Sequence, residues 1–159
     1  MKRLAILLLA FVLPGMAAAT DYKVQTAASQ LGFSAVFQGE SFDGHFGQWT
    51  AAINYDPANL ASSKFDVDVT LASVKTGDND RDSALPGKAF FDIAQFPDAH
   101  FVTTGFRRNG DQVIADGELT LHGVSKPASL DVSFKPQASG ATLDVSGTVK
   151  RLDFGVGSG

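Results

Sequence analysis

Between Lys64 and Leu71 the chain reads KFDVDVTL, with Phe65, Val67, Val69 and Leu71 on one parity and Lys64, Asp66, Asp68 and Thr70 on the other. A helix turns once in about 3.6 residues and would scatter these apolar side chains around its circumference, whereas an extended strand puts all four on one face. The same period of two recurs along the chain. Leu31, Phe33, Ala35 and Phe37 alternate with Gly32, Ser34, Val36 and Gln38, and Val113, Ala115, Leu119 and Leu121 stand against Asp116, Glu118 and Thr120. Ala128, Leu130, Val132 and Phe134 oppose Ser129, Asp131 and Ser133, and Leu143, Val145 and Val149 oppose Asp144, Ser146 and Thr148. Segments of this kind fold into sheets with one wet face and one dry face, and the dry face has to be covered.

Turn signals separate the segments at Asp56-Pro57-Ala58-Asn59, Arg108-Asn109-Gly110-Asp111, His122-Gly123-Val124 and Ser139-Gly140. They are short, so neighbouring strands run antiparallel, and Asn109-Gly110 suits a hairpin turn that needs positive φ. Phe46 to Tyr55 reads as a further strand with Trp49, Ala51, Ile53 and Tyr55 on one face, where Trp49 packs in the core. About eight such strands close most economically as an antiparallel barrel, which leaves no exposed edge; a two-sheet sandwich is the alternative. Segments of about 9 or 10 residues reach roughly 30 Å, and eight of them can enclose one small ligand.

The chain begins MKRLAILLLAFVLPGMAAAT, with a basic start, an apolar run from Leu4 to Leu13, a Pro14-Gly15 break and small residues at Ala17 to Ala19. That pattern predicts a secretory signal peptide over residues 1–19, cleaved before Thr20, and leaves one domain over residues 20–159 in the periplasm or outside the cell. The apolar run falls short of the roughly 20 residues that span a bilayer, so no stable membrane insertion is expected. There is no cysteine. Disulfides, thiolate metal sites and a lipoprotein anchor are therefore unavailable, and stability must come from packing. Loss of Lys2 and Arg3 takes the net charge from −4 to −6, which disfavours nucleic acid and anionic lipid surfaces as partners.

The stretch TGDNDRDSALPG, residues 76–87, has the first three acidic spacings of a calcium loop in Asp78, Asp80 and Asp82. The remaining positions fail: Ser83 stands where the turn glycine belongs and Ala89 where the bidentate glutamate belongs. A run of charges in one watery connector also gives its carboxylates no division into acid and base. The stretch reads as a short helix capped by Asp78 or Asn79 and stopped by Pro86-Gly87, with Arg81 offsetting the carboxylates. His45, His100 and His122 show no metal-binding spacing, and neither G-x-S-x-G nor a phosphate-cradling loop occurs. The reading is no enzyme, no metal and no cofactor.

Several stretches taken in order resemble one family. They are FDGHF (residues 42–46) with Trp49, NYDP (residues 54–57), Thr76-Gly77 followed by Arg81-Asp82, FFDI (residues 90–93) with Phe96-Pro97 and Phe101, GELTLHGVSKP (residues 117–127), and RLDFGVG (residues 151–157). The chain is similar in these to the YceI-like proteins, exported lipocalin-like polyisoprenoid-binding proteins. The resemblance implies an eight-stranded antiparallel lipocalin-like barrel with one short helical connector, Phe90 and Phe91 re-entering near its mouth, and an apolar interior that takes a long-chain isoprenoid without catalysis. Members usually continue past RLDFGVG into a closing strand, so a missing last strand and an unpaired edge are expected here.

Twelve phenylalanines lie in residues 20–159, several alternating with small residues. Such a face either fills a core to a density of about 0.75 or leaves a slot, and the resemblance favours the slot. The expected lining is Phe33 and Phe37; Phe65, Val67 and Leu71; Phe101; Leu119 and Leu121; Leu130 and Val132; and Leu143 and Val145, with Phe90 and Phe91 at the mouth. The ligand would be one isoprenoid, quinone or similar amphiphile held without covalent attachment, and a homodimer stays open. The competing readings are a packed β-domain acting by protein contact, and an isoprenoid hydrolase or isomerase, for which the inward faces offer no acid–base pair.

Overall fold

The computed structural model describes residues 18–158. Most of the expected signal peptide therefore lies outside the described residues. Ten strands form: β1 (Thr20–Tyr22), β2 (Leu31–Phe37), β3 (Glu40–Phe46), β4 (Trp49–Tyr55), β5 (Lys64–Thr70), β6 (Val74–Lys75), β7 (Asp98–Asn109), β8 (Gln112–Leu121), β9 (Val124–Gln137) and β10 (Gly140–Ser146). Eight of them have seven residues or more, and β1 and β6 are short additions; β3 is a strand that the alternation did not single out. One α-helix, α1 (Asn79–Ala84), lies between β6 and β7.

All pairings are antiparallel. A seven-stranded sheet runs β1-β4-β5-β7-β8-β9-β10, and a three-stranded sheet runs β2-β3-β6. Gly47-Gln48 joins the two, with Gly47 N–H donating to the Ser73 carbonyl at 3.1 Å and Thr70 N–H to the Gln48 carbonyl at 3.0 Å. The result is a nearly closed antiparallel barrel with its apolar parity inward. Among the described residues no helix is long and apolar enough to cross a membrane.

Turn chemistry fixes the registers. Phe37 pairs with Glu40 across Gln38 (φ 53°) and Gly39 (φ 87°), and Leu121 pairs with Val124 across His122 (φ 52°) and Gly123 (φ 73°). Both have the two positive φ values whose twist matches that of the flanking strands. The second was expected, and the first was not, because glutamine is an unusual residue for that conformation. In the Asn109-Gly110 turn only Gly110 is left-handed, at φ 62°.

Some expected elements differ. Leu71 does not belong to β5: its N–H donates to the Pro97 carbonyl at 2.9 Å, and it opens a 3₁₀ turn, Leu71–Ser73. The segment from Phe46 to Tyr55 is two strands, broken at Gly47-Gln48 where the chain passes between sheets. Val149 lies in no strand, because pairing with β9 ends at Ser146 opposite Asp131; the chain then forms a 3₁₀ turn, Arg151–Phe154.

The acidic connector folds as its residues require. The Asp78 carboxylate accepts from Arg81 N–H at 2.8 Å and caps α1, while Asp82 Oδ1 accepts from both the N–H and the hydroxyl of Thr76 at 2.7 Å. Two apolar clusters result. One gathers Leu71, Val74, Leu85, Phe91, Ala99, Phe154 and Val156 beneath the connector; the other gathers Tyr55, Phe65, Val113, Ala115 and Val132 at the opposite end of the large sheet.

Candidate ligand-binding face in the barrel interior

At the second cluster the interior is filled. Tyr55 and Phe65 are each 2% exposed. The Tyr55 ring lies 5.7 Å from Phe65, 5.8 Å from Phe106 and 5.0 Å from Phe134, and Phe65 meets Phe106 edge-on at 4.9 Å. These rings come from β4, β5, β7 and β9, so alternation on four strands converges on one aromatic block. Burial pushes the Tyr55 hydroxyl above its ordinary pKa.

The ribbon formed by β2 and β3 is different. Its inner parity carries Phe33, Phe37, Phe42 and Phe46, yet no residue of either strand is buried. Phe33 meets Phe42 at 6.2 Å and Phe46 at 5.5 Å, Phe37 meets Phe90 at 5.5 Å, and Phe46 meets Phe91 at 6.0 Å. Gly44, opposite Phe33, makes room for this ring: a Cβ there would lie 2.7 Å from Phe33 Cε1. Two guanidinium groups edge the face. Arg81 sits 4.2 Å over the Phe42 ring and Arg151 sits 5.5 Å over Phe37, while Arg151 Nη1 donates to the carbonyls of Val156 at 2.8 Å and Gly157 at 3.1 Å. Neither forms an ion pair among the described residues. Cations over aromatic faces are stabilised by the ring quadrupole.

The expected lining residues are divided between the two clusters. Leu71 and Phe91 are buried in the first, with Phe33, Phe90, Leu119 and Leu121 packed against it half-buried; Phe65 and Val132 are buried in the second, with Leu130 and Leu143 packed against it. Phe101 is buried with its ring over Gly117, where a Cβ would lie 2.6 Å from Phe101 Cζ, and Val67 is half-buried on β5. Val145 departs from expectation. It stands opposite Val132 on β10, the end strand of the large sheet, and is 39% exposed. Phe42, Arg81 and Arg151 were missed. Phe42 follows from the β3 alternation once the Gln38-Gly39 turn is recognised, whereas the arginines depend on tertiary placement.

Open clefts lie elsewhere. One of about 280 Å³ is bordered by Tyr55, Arg108, Gln112 and Phe134 at the filled end, and one of about 350 Å³ by Thr26, Trp49, Asp68 and Thr70. Neither is lined by the ribbon phenylalanines. The buried carboxylate Asp92 is committed to a turn, accepting from Gln95 Nε2 at 2.7 Å.

Comparison with known proteins accords with this architecture. A family model described as the YceI-like domain matches residues 22–159. A UPF0312 protein of Yersinia pestis is 31% identical over 157 residues, covering 89% of this chain and 79% of the relative. Burkholderia cenocepacia BcnA has a crystal structure that superposes with a TM-score of 0.80 at 26% identity, covering 86% of this chain and 87% of that one. A structure described as a polyisoprenoid binding domain from Saccharophagus degradans shares the fold, with a TM-score of 0.55 at 18% identity over 84% of this chain and 79% of that one.

Proposed function

The chain belongs to the YceI-like family, and we propose that it is a periplasmic carrier that binds one long-chain isoprenoid or related amphiphilic lipid against the inner face of the β2–β3 ribbon. The observation that carries this reading is the incomplete burial of Phe33, Phe37, Phe42 and Phe46, four aromatic side chains on one inward face with none fully withdrawn from water. A hydrocarbon tail laid along them removes that apolar surface from solvent. Each buried CH₂ contributes roughly 0.8 kcal/mol, so about ten carbons outweigh a substantial ordering cost without any polar contact. The aromatic block around Tyr55 and Phe65 acts as a floor that limits how far a tail extends. Arg81 and Arg151 at the edge suit a head group that is anionic or, like a quinone, offers oxygen acceptors beside a flat ring. The protein acts as a binder, and the periplasmic setting rests on the signal-peptide pattern of residues 1–19.

Native mass spectrometry of the protein purified from its own host, followed by solvent extraction, tests this. One isoprenoid or quinone per chain is the expected result. A bare mass together with no uptake of added long-chain isoprenoids overturns it in favour of a packed β-domain acting through protein contact.

A further inference from the structure

The outer wall of the large sheet carries a side-chain cluster that lipid binding does not use. In the antiparallel pairing of β5 with β7, Asp68 stands opposite His100 and Asp66 opposite Val102. Directly opposed residues of neighbouring strands project to the same side, so Asp66, Asp68 and His100 share one face. Phe65, Val67 and Phe101 take the other parity, so the cluster points away from the barrel interior. One donor atom from each of the three residues can be chosen so that all lie within 4.8 Å of one another, and His100 Nε2 is 2.7 Å from Asp66 Oδ1.

We propose that Asp66, Asp68 and His100 form a binding site for one divalent transition-metal ion of the zinc class on the outside of the barrel. One imidazole nitrogen with two carboxylate oxygens is a borderline donor set, suited to Zn²⁺, Cu²⁺ or Ni²⁺ over the all-oxygen preference of Ca²⁺ and Mg²⁺. Metal–ligand bonds of about 2.0–2.2 Å in a tetrahedron place donors roughly 3.3–3.5 Å apart. The cluster reaches this by opening the 2.7 Å contact and drawing in the wider separations, which are at most 4.8 Å. Side-chain torsions suffice for both movements, because the His100 and Asp66 side chains are 40% and 34% exposed while the sheet ladder fixes their Cα atoms.

Asp68 is what separates this cluster from an ordinary surface ion pair. Asp66 and His100 satisfy each other, and Lys64 Nζ lies 3.5 Å from Asp66 Oδ2. The Asp68 carboxylate has no hydrogen-bond or ion-pair partner among the described residues, although it sits opposite the imidazole. The face is acidic beyond the three ligands: Asp98 lies two residues before His100, and Glu118 stands opposite Val102 on β8. Lys64 is the opposing cation. Three protein ligands leave a fourth position for water, and their exposure gives a site of modest affinity that exchanges its ion readily.

The test is calorimetric titration of Zn²⁺ into the protein purified without a histidine tag, with the ring resonances of His100 followed by NMR. One ion per chain is expected, with selective perturbation of His100. His100→Gln and Asp68→Asn should each weaken binding at least about tenfold, as loss of a ligand does, Lys64→Ala should tighten it, and His45→Gln should leave it unchanged. Circular dichroism and the melting temperature of the metal-free variants show that the fold persists. Undiminished binding in both His100→Gln and Asp68→Asn, or no binding of either Zn²⁺ or Cu²⁺ by the unmodified protein, overturns the site and leaves a surface ion pair.

Discussion

The Tyr55 end of the barrel and the β2–β3 ribbon are built from the same residue type with opposite outcomes. Phe65 is 2% exposed because rings from the neighbouring strands β4 and β7 close on it. Phe37 has one ring neighbour, Phe90, and one guanidinium, Arg151, and it remains half-buried. Burial is therefore decided by how many strands supply a partner, not by the side chain itself. Strands β4, β5, β7 and β9 of the large sheet all supply rings to the close packing, while the ribbon pairs only with the short β6 and leans on the connector and the Arg151–Phe154 turn. Stability resides in the first region, and accessible apolar surface in the second.

Truncation should expose this division most plainly. Phe65→Ala removes a fully enclosed ring and is expected to cost about 3–5 kcal/mol by chemical denaturation. Phe37→Ala removes a ring already half in water and should cost no more than about 1.5 kcal/mol, in keeping with its smaller loss of buried area. Equal costs would break the contrast between the regions.

Glycine positions sharpen the same contrast at a smaller scale. A Cβ at Gly117 would lie 2.5 Å from the Val102 carbonyl oxygen as well as against the Phe101 ring, and backbone in the middle of a sheet cannot retreat. At Gly44 the nearest obstruction is the Phe33 ring, a side chain that can give way more readily than backbone. Gly117→Ala should therefore cost about 2–3 kcal/mol and Gly44→Ala about 1 kcal/mol, both read from denaturation midpoints. The reverse order would mean that the ribbon is the more rigid wall.

Function should follow the opposite order from stability. Phe42→Ser places a hydroxyl on the proposed lipid face, where the native ring is half-buried beneath Arg81. Isoprenoid uptake, measured by competition with a fluorescent long-chain probe, should fall about tenfold or more, while the melting temperature shifts by only a few degrees. Undiminished uptake would remove the ribbon from the binding site.

The legibility of the chain follows from the same physics. Strand alternation, the helix at Asp78 and the His122-Gly123 turn are local, so residues adjacent in sequence specify them. The two-residue turn at Gln38-Gly39 carries a weak local signal, since glutamine seldom adopts positive φ, and the placement of Phe42 depends on it. Leu71 continued the β5 alternation but left the strand because a distant carbonyl, that of Pro97, took its N–H. The inward faces were identifiable, yet how completely each is buried was not, since that depends on which other strands arrive. For the same reason the sequence marks Arg81 and Arg151 only as parts of the connector and the terminal stretch; their placement over Phe42 and Phe37 is a product of how those two segments fold. No sequence spacing joins His100 to another metal-binding residue; the β5–β7 register sets it opposite Asp68.

The smallest effect concerns the connector that covers the ribbon. Asp82 accepts two hydrogen bonds from Thr76, and the hydroxyl bond, followed by the backbone bond and the nearby positive charges, holds its carboxyl below the ordinary value of 3.8. A pKa lower in the folded chain than in the unfolded one means that the interaction stabilises the fold above pH 3.8 and that this contribution disappears as the pH falls through the depressed folded value. Thr76→Val removes the hydroxyl bond and should bring the Asp82 pKa, followed by NMR of its carboxyl carbon, back toward 3.8. The acid limb of the stability curve should flatten slightly in the same variant, because a carboxyl with like pKa values in both states no longer links folding to protons. Asp82 lies next to Arg81, so loosening this anchor should also release the guanidinium from the Phe42 ring and reduce isoprenoid uptake, by less than Phe42→Ser does. An unchanged Asp82 pKa in Thr76→Val would show that the backbone bond alone holds the connector over the ribbon.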